Sequence, residues 1–200
     1  MLLRDIPGDD LYGAGPEVRA AIARDHHALQ LASLPALHHL AAVGVPDRRG
    51  DRLADWLQVL NHPLVRPAQQ RIDQALGCGV PEALVHGDLH PGNVRGDADH
   101  RTVLDWGDAY LGHPAFDILR LTDGLDASQA RPLLDAWARR WKEAYPGSDP
   151  LRAVDLLRPV AALCAAATYA RFVAKIEPSE HSYHADDVPF WLSRAAELFG

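Results

Sequence analysis

The 200-residue sequence has only two cysteines, Cys78 and Cys164, far apart in the chain. No CxxC pair and no Cys/His zinc spacing is present. This excludes a disulfide framework or a zinc ribbon and points to free thiols in a reducing cytoplasm. Positive charge is also scarce: 20 Lys and Arg against 27 Asp and Glu leave a formal net charge of -7. A chain of this charge lacks the basic face that a nucleic-acid partner requires. No run of 18 or more apolar residues occurs. The longest, near 160–170, is broken by Thr168 and Tyr169, so no membrane span is expected. The first residues, MLLRDIPGDD, lack the apolar core of a signal peptide. No internal repeat and no low-complexity linker is found. What remains is an ordinary globular composition, 48 % hydrophobic and 24 % charged, enough for one good core with an appendage.

The chain starts on a short apolar run and then turn residues, Pro7-Gly8-Asp9-Asp10, Gly13 and Gly15. Such a start resembles the tail of a strand whose neighbours lie upstream. From Pro16, a residue suited to a helix start, Val18, Ile22, Leu29, Leu34, Leu37 and Leu40 recur near helical spacing. One or two helices are expected over 50–76, with Pro63 and Pro67 as boundaries. ALVHGDL reads as a strand and HPGN as a turn. A hairpin follows, with Asn93–Arg95 and Thr102–Trp106 as strands and a polar tip at Gly96–His100. A helix begins at or after Pro114. ASQARPLLDAWARRWKEAYPG is amphipathic, with Leu133, Leu134, Trp137, Trp141 and Tyr145 on one side. An alanine-rich buried helix is expected over 153–174, and DDVPFWLSRAAELFG reads as a last helix. The expected fold class is mainly α with a small β-hairpin (α+β).

The chemistry is concentrated in VHGDLHPGNVRGDADHRTVLDWGDAYLGHPAFD, residues 85–117. The spacing H-G-D-x-x-x-x-N sets His86, Asp88 and Asn93, and Asp105 follows at the end of the hairpin. A loop closed by a hairpin brings residues 88, 93 and 105 to one end of it. Two carboxylates and a carboxamide oxygen form a hard, all-oxygen set that suits Mg²⁺ rather than Zn²⁺. Metal neutralisation together with a carboxylate free to accept a hydroxyl proton is what phosphoryl transfer requires.

HGDLHPGN, LDWGDA and HPAFDIL together resemble the catalytic segment of the aminoglycoside phosphotransferase and choline kinase family, which has a protein-kinase-like fold. The resemblance implies roles for individual residues. Asp88 would be the catalytic base; Asn93 and Asp105 would bind Mg²⁺ and, through it, the phosphates of ATP. His86 would hold the loop, and Asp117 would be a buried acid bracing it from the next helix. Asp108 would either support the metal or cap the loop. The family usually has Asp where His113 precedes Pro114, a departure in the bracing of this turn. LLRDIPGDDLYGAG resembles the family's hinge, so that Leu3, Arg4 and Asp5 would face the nucleotide. Residues 1–15 would be a hinge remnant and 16–200 the helical C-terminal lobe. Neither a Gly-rich loop nor a strand lysine precedes that hinge, and Lys142 and Lys175, the only lysines, lie in downstream helices. The resemblance therefore implies a C-terminal lobe without its N-terminal lobe, through truncation, a split gene or decay.

Two function classes follow. The first is an ATP- and Mg²⁺-dependent phosphotransferase acting on a hydroxyl of an aminoglycoside-like, choline-like or sugar-like acceptor, with a cationic acceptor suiting the negative charge. The second is a non-catalytic binding module, lacking nucleotide clamping or needing a partner lobe. An exposed hinge and lobe-facing surface would favour a homodimer. A zinc site on His86 and His90 is disfavoured, because Pro91 and the flanking glycines break the helix that would align them. The pairs His26-His27 and His38-His39 are each expected to place one histidine partly inside and one outside. Asp97 and Asp99 read as solvated tip residues and the two tryptophans at 137 and 141 as core. Asp123, Asp126, Glu177, Glu180, Asp186 and Asp187 read as a solvated acidic face, although they fall where the family builds its acceptor pocket.

Overall fold

The computed structural model describes Ile6, residues 8–97 and residues 99–200. The hinge residues Leu3, Arg4 and Asp5 lie outside the described residues. The chain forms a short strand β1 (Asp9–Asp10), then helices α1 (Pro16–Ser33), α2 (Leu37–Ala42), α3 (Asp51–Leu57) and α4 (Val65–Leu76). Four three-residue strands follow: β2 (Ala83–Val85), β3 (Val94–Gly96), β4 (Arg101–Val103) and β5 (Tyr110–Gly112). Helices α5 (Ala115–Leu121), α6 (Ala127–Ala144), α7 (Pro150–Val173) and α8 (Asp187–Phe199) complete it. The fold is mainly α, with two small antiparallel sheets, β1-β3-β4 and β2-β5.

Local signals account for several helix starts. Pro16 occupies the first turn of α1, where its missing N–H costs nothing. Asp126 caps α6 by accepting from the backbone of Ser128 and Gln129, and the Gln129 side chain returns to the Asp126 N–H. On α6, Leu133, Leu134, Trp137 and Trp141 are buried. Tyr145, expected on the same stripe, sits at the C-cap and is 36 % exposed. Pro63 falls before α4, but Pro67 lies inside its first turn rather than at a boundary. The first-turn N–H groups have no intrahelical partner, so proline is tolerated there.

The sequence shows no 18-residue apolar run, yet α7 is long and apolar enough to cross a membrane by length and composition. Here it is the central helix of the core. It packs against α4, α5, α6 and α8, with Leu157, Val160, Leu163 and Ala166 buried. Its Arg152, Asp155, Thr168 and Arg171 remain exposed, so the helix is core along most of its length and open to solvent at these positions.

The β elements position the site. β3 and β4 pair with Val94 opposite Val103 and Gly96 opposite Arg101. The first hairpin strand is thus shifted by one residue and the second is shorter than expected, with Trp106 in a 3-10 turn (Trp106–Asp108) rather than in a strand. Asp9 and Asp10, read as turn residues, pair with Gly96 and Arg95. The approach is close: a Cβ added to Gly8, at φ +99°, would lie 2.5 Å from the Gly96 Cα. β2 and β5 pair with Ala83 opposite Gly112 and Val85 opposite Tyr110. Asp47 bridges Leu111 beside them.

Both members of the pair His26-His27 are buried, and both His38 and His39 are exposed. The one-in, one-out expectation fails for each pair. His27 packs edge-on against Trp141 at 4.8 Å between ring centroids. Burial, then the charges of Arg140 and His26, push its pKa down from 6.5 to about 4. His113 is buried too, and burial lowers it from 6.5 to about 3. Its Nδ1 accepts from the Ala115 N–H at 3.1 Å. A neutral imidazole thus supplies, before Pro114, the acceptor that an aspartate would bring to the start of α5.

Both histidines take up a proton in the unfolded chain below about pH 6.5 and resist it in the folded chain. Stability therefore falls as the pH drops from about 6.5 toward 4 for His27 and toward 3 for His113, each by up to about 1.4 kcal/mol per pH unit. Urea midpoints measured between pH 7 and pH 4 should show this decline, and His27→Leu should remove its share of the slope.

Candidate active site

The site is built around a buried carboxylate. Asp117, on the first turn of α5, is 2 % exposed. Its Oδ2 lies 2.7 Å from His26 Nε2 and accepts from Gln30 Nε2 at 3.0 Å and from the His86 N–H at 2.9 Å. Its Oδ1 accepts from the Gly87 N–H at 3.1 Å. A carboxylate only accepts, so His26 Nε2 carries the proton in that contact. Four donors from α1 and from the loop after β2 thus converge on one group. The cost of burying a charge is met only when its lone pairs are filled in this way.

His86, itself fully buried, extends the frame. Its Nδ1 accepts from the Asp88 N–H at 3.3 Å, and its Nε2 donates to the Leu104 carbonyl at 2.7 Å. Its ring lies 4.7 Å from that of Trp106. With both nitrogens used, His86 has none left for zinc. Gly87, at φ +89°, lets the loop touch the turn after Asp105: a Cβ there would lie 2.3 Å from the Asp108 carbonyl oxygen.

Asp88 follows, partly exposed. Its Oδ1 pairs with Arg120 Nε at 2.7 Å. Its Oδ2 accepts from Asn93 Nδ2 at 3.2 Å and lies 3.4 Å from His90 Nε2. His90 Nδ1 accepts from the Gly92 N–H at 3.1 Å, so His90 Nε2 is the protonated nitrogen and faces Asp88. Burial lowers the His90 pKa against the opposing charge of Asp88. Burial also disfavours the charge on Arg120, but hydrogen bonding to Asp88 and the charges of Asp88 and Asp123 outweigh it and raise its pKa.

Asn93 closes the loop. Its Nδ2 also donates to the Asp88 carbonyl at 2.9 Å. The Leu104 N–H donates to the Asn93 carbonyl at 2.8 Å, which sets Asp105 next to Asn93. Asp105 adopts a left-handed backbone, φ 57° and ψ 63°, and its exposed carboxylate has no hydrogen-bond or ion-pair partner among the described residues. The oxygen of Asn93 and the carboxylate of Asp105 are therefore the groups able to hold a cation. Among the described residues, no cluster of three or more His, Cys, Asp and Glu forms a cage of its own. A hard two-residue oxygen set with room for water and phosphate fits Mg²⁺.

Of the remaining acids, Asp108 is exposed at the turn and brings its backbone carbonyl, with its Cβ beside it, against Gly87. Asp123 joins the site's edge through Arg120 at 3.3 Å. Asp126 caps α6, Asp187 pairs with His184 at 2.8 Å, and Asp97 holds the hairpin tip by accepting from Asp99 and His100. Arg120, His26 and Gln30 escaped the sequence reading. Arg120 stands one helical turn after Asp117, and His26 and Gln30 are one turn apart on α1; that spacing was the available signal.

The chain matches the phosphotransferase enzyme family over residues 1–154, and it belongs to that family. It is similar to a choline/ethanolamine kinase family protein from Mesorhizobium loti, with a TM-score of 0.61, 18 % identity, and coverage of 98 % of this chain and 68 % of that one. It is also similar to the macrolide 2'-phosphotransferase MphH from Brachybacterium faecium, with a TM-score of 0.53 and 21 % identity, covering 90 % and 61 %. A third likeness is to the GDP and kanamycin complex of APH(2")-IIIa, with a TM-score of 0.56 and 19 % identity, covering 98 % and 69 %. The chain thus spans 61 to 69 % of the length of these three proteins. The shared architecture is the C-terminal lobe of the kinase-like fold. No curated protein sequence matches significantly.

Replacing Asp117 with Ala strips four donors of their acceptor at once. We expect a loss of roughly 3–5 kcal/mol of stability, the range for breaking a buried charged pair, measured by urea unfolding. Amide exchange of His86 and Gly87 should accelerate more than that of α7.

Proposed function

We propose that this chain carries the catalytic lobe of an ATP- and Mg²⁺-dependent small-molecule phosphotransferase with a hydroxyl group as acceptor. The observation that supports the reading is the contact of Asp88 with Asn93 at 3.2 Å and with Arg120 at 2.7 Å, beside a backbone bond from Leu104 to Asn93 that leads into the open carboxylate of Asp105. Family membership supports the reaction class, and the kinase and phosphotransferase names of its structural neighbours support a small-molecule acceptor. In this reading residues 16–200 are the large lobe, and Leu3, Arg4 and Asp5 belong to the hinge against the nucleotide.

Asp88 accepts the proton of the acceptor hydroxyl as that oxygen attacks the γ-phosphorus, and ADP departs. Arg120 and Asn93 hold the two carboxylate oxygens of Asp88, so its remaining lone pairs face the acceptor. Asn93 and Asp105 would hold Mg²⁺, which supplies neutralisation of the phosphate charge. His86 and Asp117 fix the loop on which these groups stand. Preorganisation of this kind lowers the barrier without rearrangement during the reaction.

Calorimetric titration of the chain with ATP should show binding that depends on Mg²⁺, and Asn93→Ala or Asp105→Ala should abolish that dependence. Asp88→Asn should keep nucleotide binding while phosphoryl transfer falls by about 10²–10⁴-fold, the usual contribution of a general base. An absence of nucleotide binding at millimolar ATP would establish the non-catalytic module instead.

A further inference from the structure

Arg48 is a half-buried cation without an ion-pair partner among the described residues. Its guanidinium carbon lies 3.9 Å from the ring centroid of Trp56 and 4.3 Å from that of Tyr110. Its Nε is buried with no hydrogen-bond partner. Among the described residues, its side chain makes no hydrogen bond or ion pair. The adjacent Asp47 does not neutralise it, because Asp47 is held by Arg49 at 2.8 Å and Arg52 at 2.7 Å. A second guanidinium, Arg171, lies 5.3 Å from the same Trp56 ring and donates to the Trp56 carbonyl at 3.1 Å. Burial disfavours the charge on Arg48, and Arg171 adds to that, against Tyr110, Cys164 and Asp108. Two aromatic faces compensate a cation only in part. An isolated buried charge is costly unless something pairs with it.

The cluster adjoins the catalytic loop. The Arg48 N–H donates to the Leu111 carbonyl at 2.9 Å, and Tyr110 lies opposite Val85, the residue before His86. Asp108, within electrostatic reach of Arg48, rests its backbone on Gly87 beside Asp88.

We infer that Arg48 and Arg171, set around Trp56, form a subsite for an anionic group, a carboxylate or a phosphate, borne by the hydroxyl acceptor. That the anion belongs to an acceptor rests on the phosphotransferase reading; the anion subsite itself rests on the arginines alone. The sign is opposite to the cationic acceptor that the chain's net charge suggested. Planar guanidiniums favour both anions through paired N–H donors.

The test is a thermal-shift and tryptophan-fluorescence titration of the full chain at matched ionic strength. Sodium glycerate and glycerol 3-phosphate are the anionic probes, and glycerol and choline chloride the neutral and cationic ones. The two anions should raise the melting temperature, and glycerol and choline should not. The tighter of the two identifies carboxylate or phosphate. Arg48→Met and Arg171→Ala should each weaken anion binding by at least about tenfold, or about 1.4 kcal/mol. Arg171 is exposed, so its variant tests the subsite even where Arg48→Met fails to fold. Arg48→Met should also raise the melting temperature of the unliganded chain, because it removes a partly desolvated charge and a buried N–H without a partner. Anion binding absent at tens of millimolar, or unchanged in Arg171→Ala, would overturn the subsite. Anion binding intact in wild type and Asp88→Asn alike, with no phosphoryl transfer by the wild type, would overturn the phosphotransferase reading and leave the subsite standing.

Discussion

The structure of the site depends on the carboxylate of Asp117. It is buried, and it is held by donors from a helix 87 and 91 residues earlier in the chain and from the loop that carries Asp88. Because the backbone N–H groups of His86 and Gly87 point at it, the direction of the chain entering Asp88 follows from its position. His86 then passes the constraint on. One ring nitrogen receives the Asp88 N–H and the other reaches the Leu104 carbonyl, one residue before Asp105. A single buried acid therefore sets both the loop that carries Asp88 and the turn that carries Asp105. Behind it, α5 rests on α7, whose buried Leu157, Val160 and Leu163 belong to the common core.

The charges around this frame are arranged unevenly. Asp88 is matched by Arg120, and Arg120 is shared with Asp123, so the carboxylate that would take a proton is oriented without being sealed from solvent. Asp105 has no such partner among the described residues and stays open. Arg48 is the reverse case, a cation kept between two aromatic rings with no anion supplied by the described residues. His113 shows how a change of residue type is absorbed. Its neutral ring accepts the Ala115 N–H at the start of α5, and burial keeps it neutral.

The residues of the candidate site were legible because they lie close in sequence. A loop of eight residues, a hairpin and one turn carry Asp88, Asn93 and Asp105, and turn chemistry alone brings such segments together. The helices were legible for a similar reason: caps such as Asp126 and the apolar stripe of α6 act within a few residues. The groups that hold the site were not legible in the same way. His26 and Gln30 look like any polar pair on a helix until α1 is packed over the loop. Arg120 looks like a surface arginine until α5 is placed beside Asp88. Asp9 and Asp10 have low strand propensity, and only the nearby hairpin edge makes them a strand.

By itself, then, the sequence determined the helical class, the position of the hairpin and the loop and turn that carry Asp88, Asn93 and Asp105. Those are set by local backbone preferences and by periodic burial, which act over a few residues. The tertiary structure alone decided which acid is buried and braced, which carboxylate is paired with arginine, that both His26 and His27 are inside, and that Arg48 and Arg171 share one indole. Each of these depends on the dielectric and the partners at a point in space, and those are fixed only when segments distant in sequence have packed.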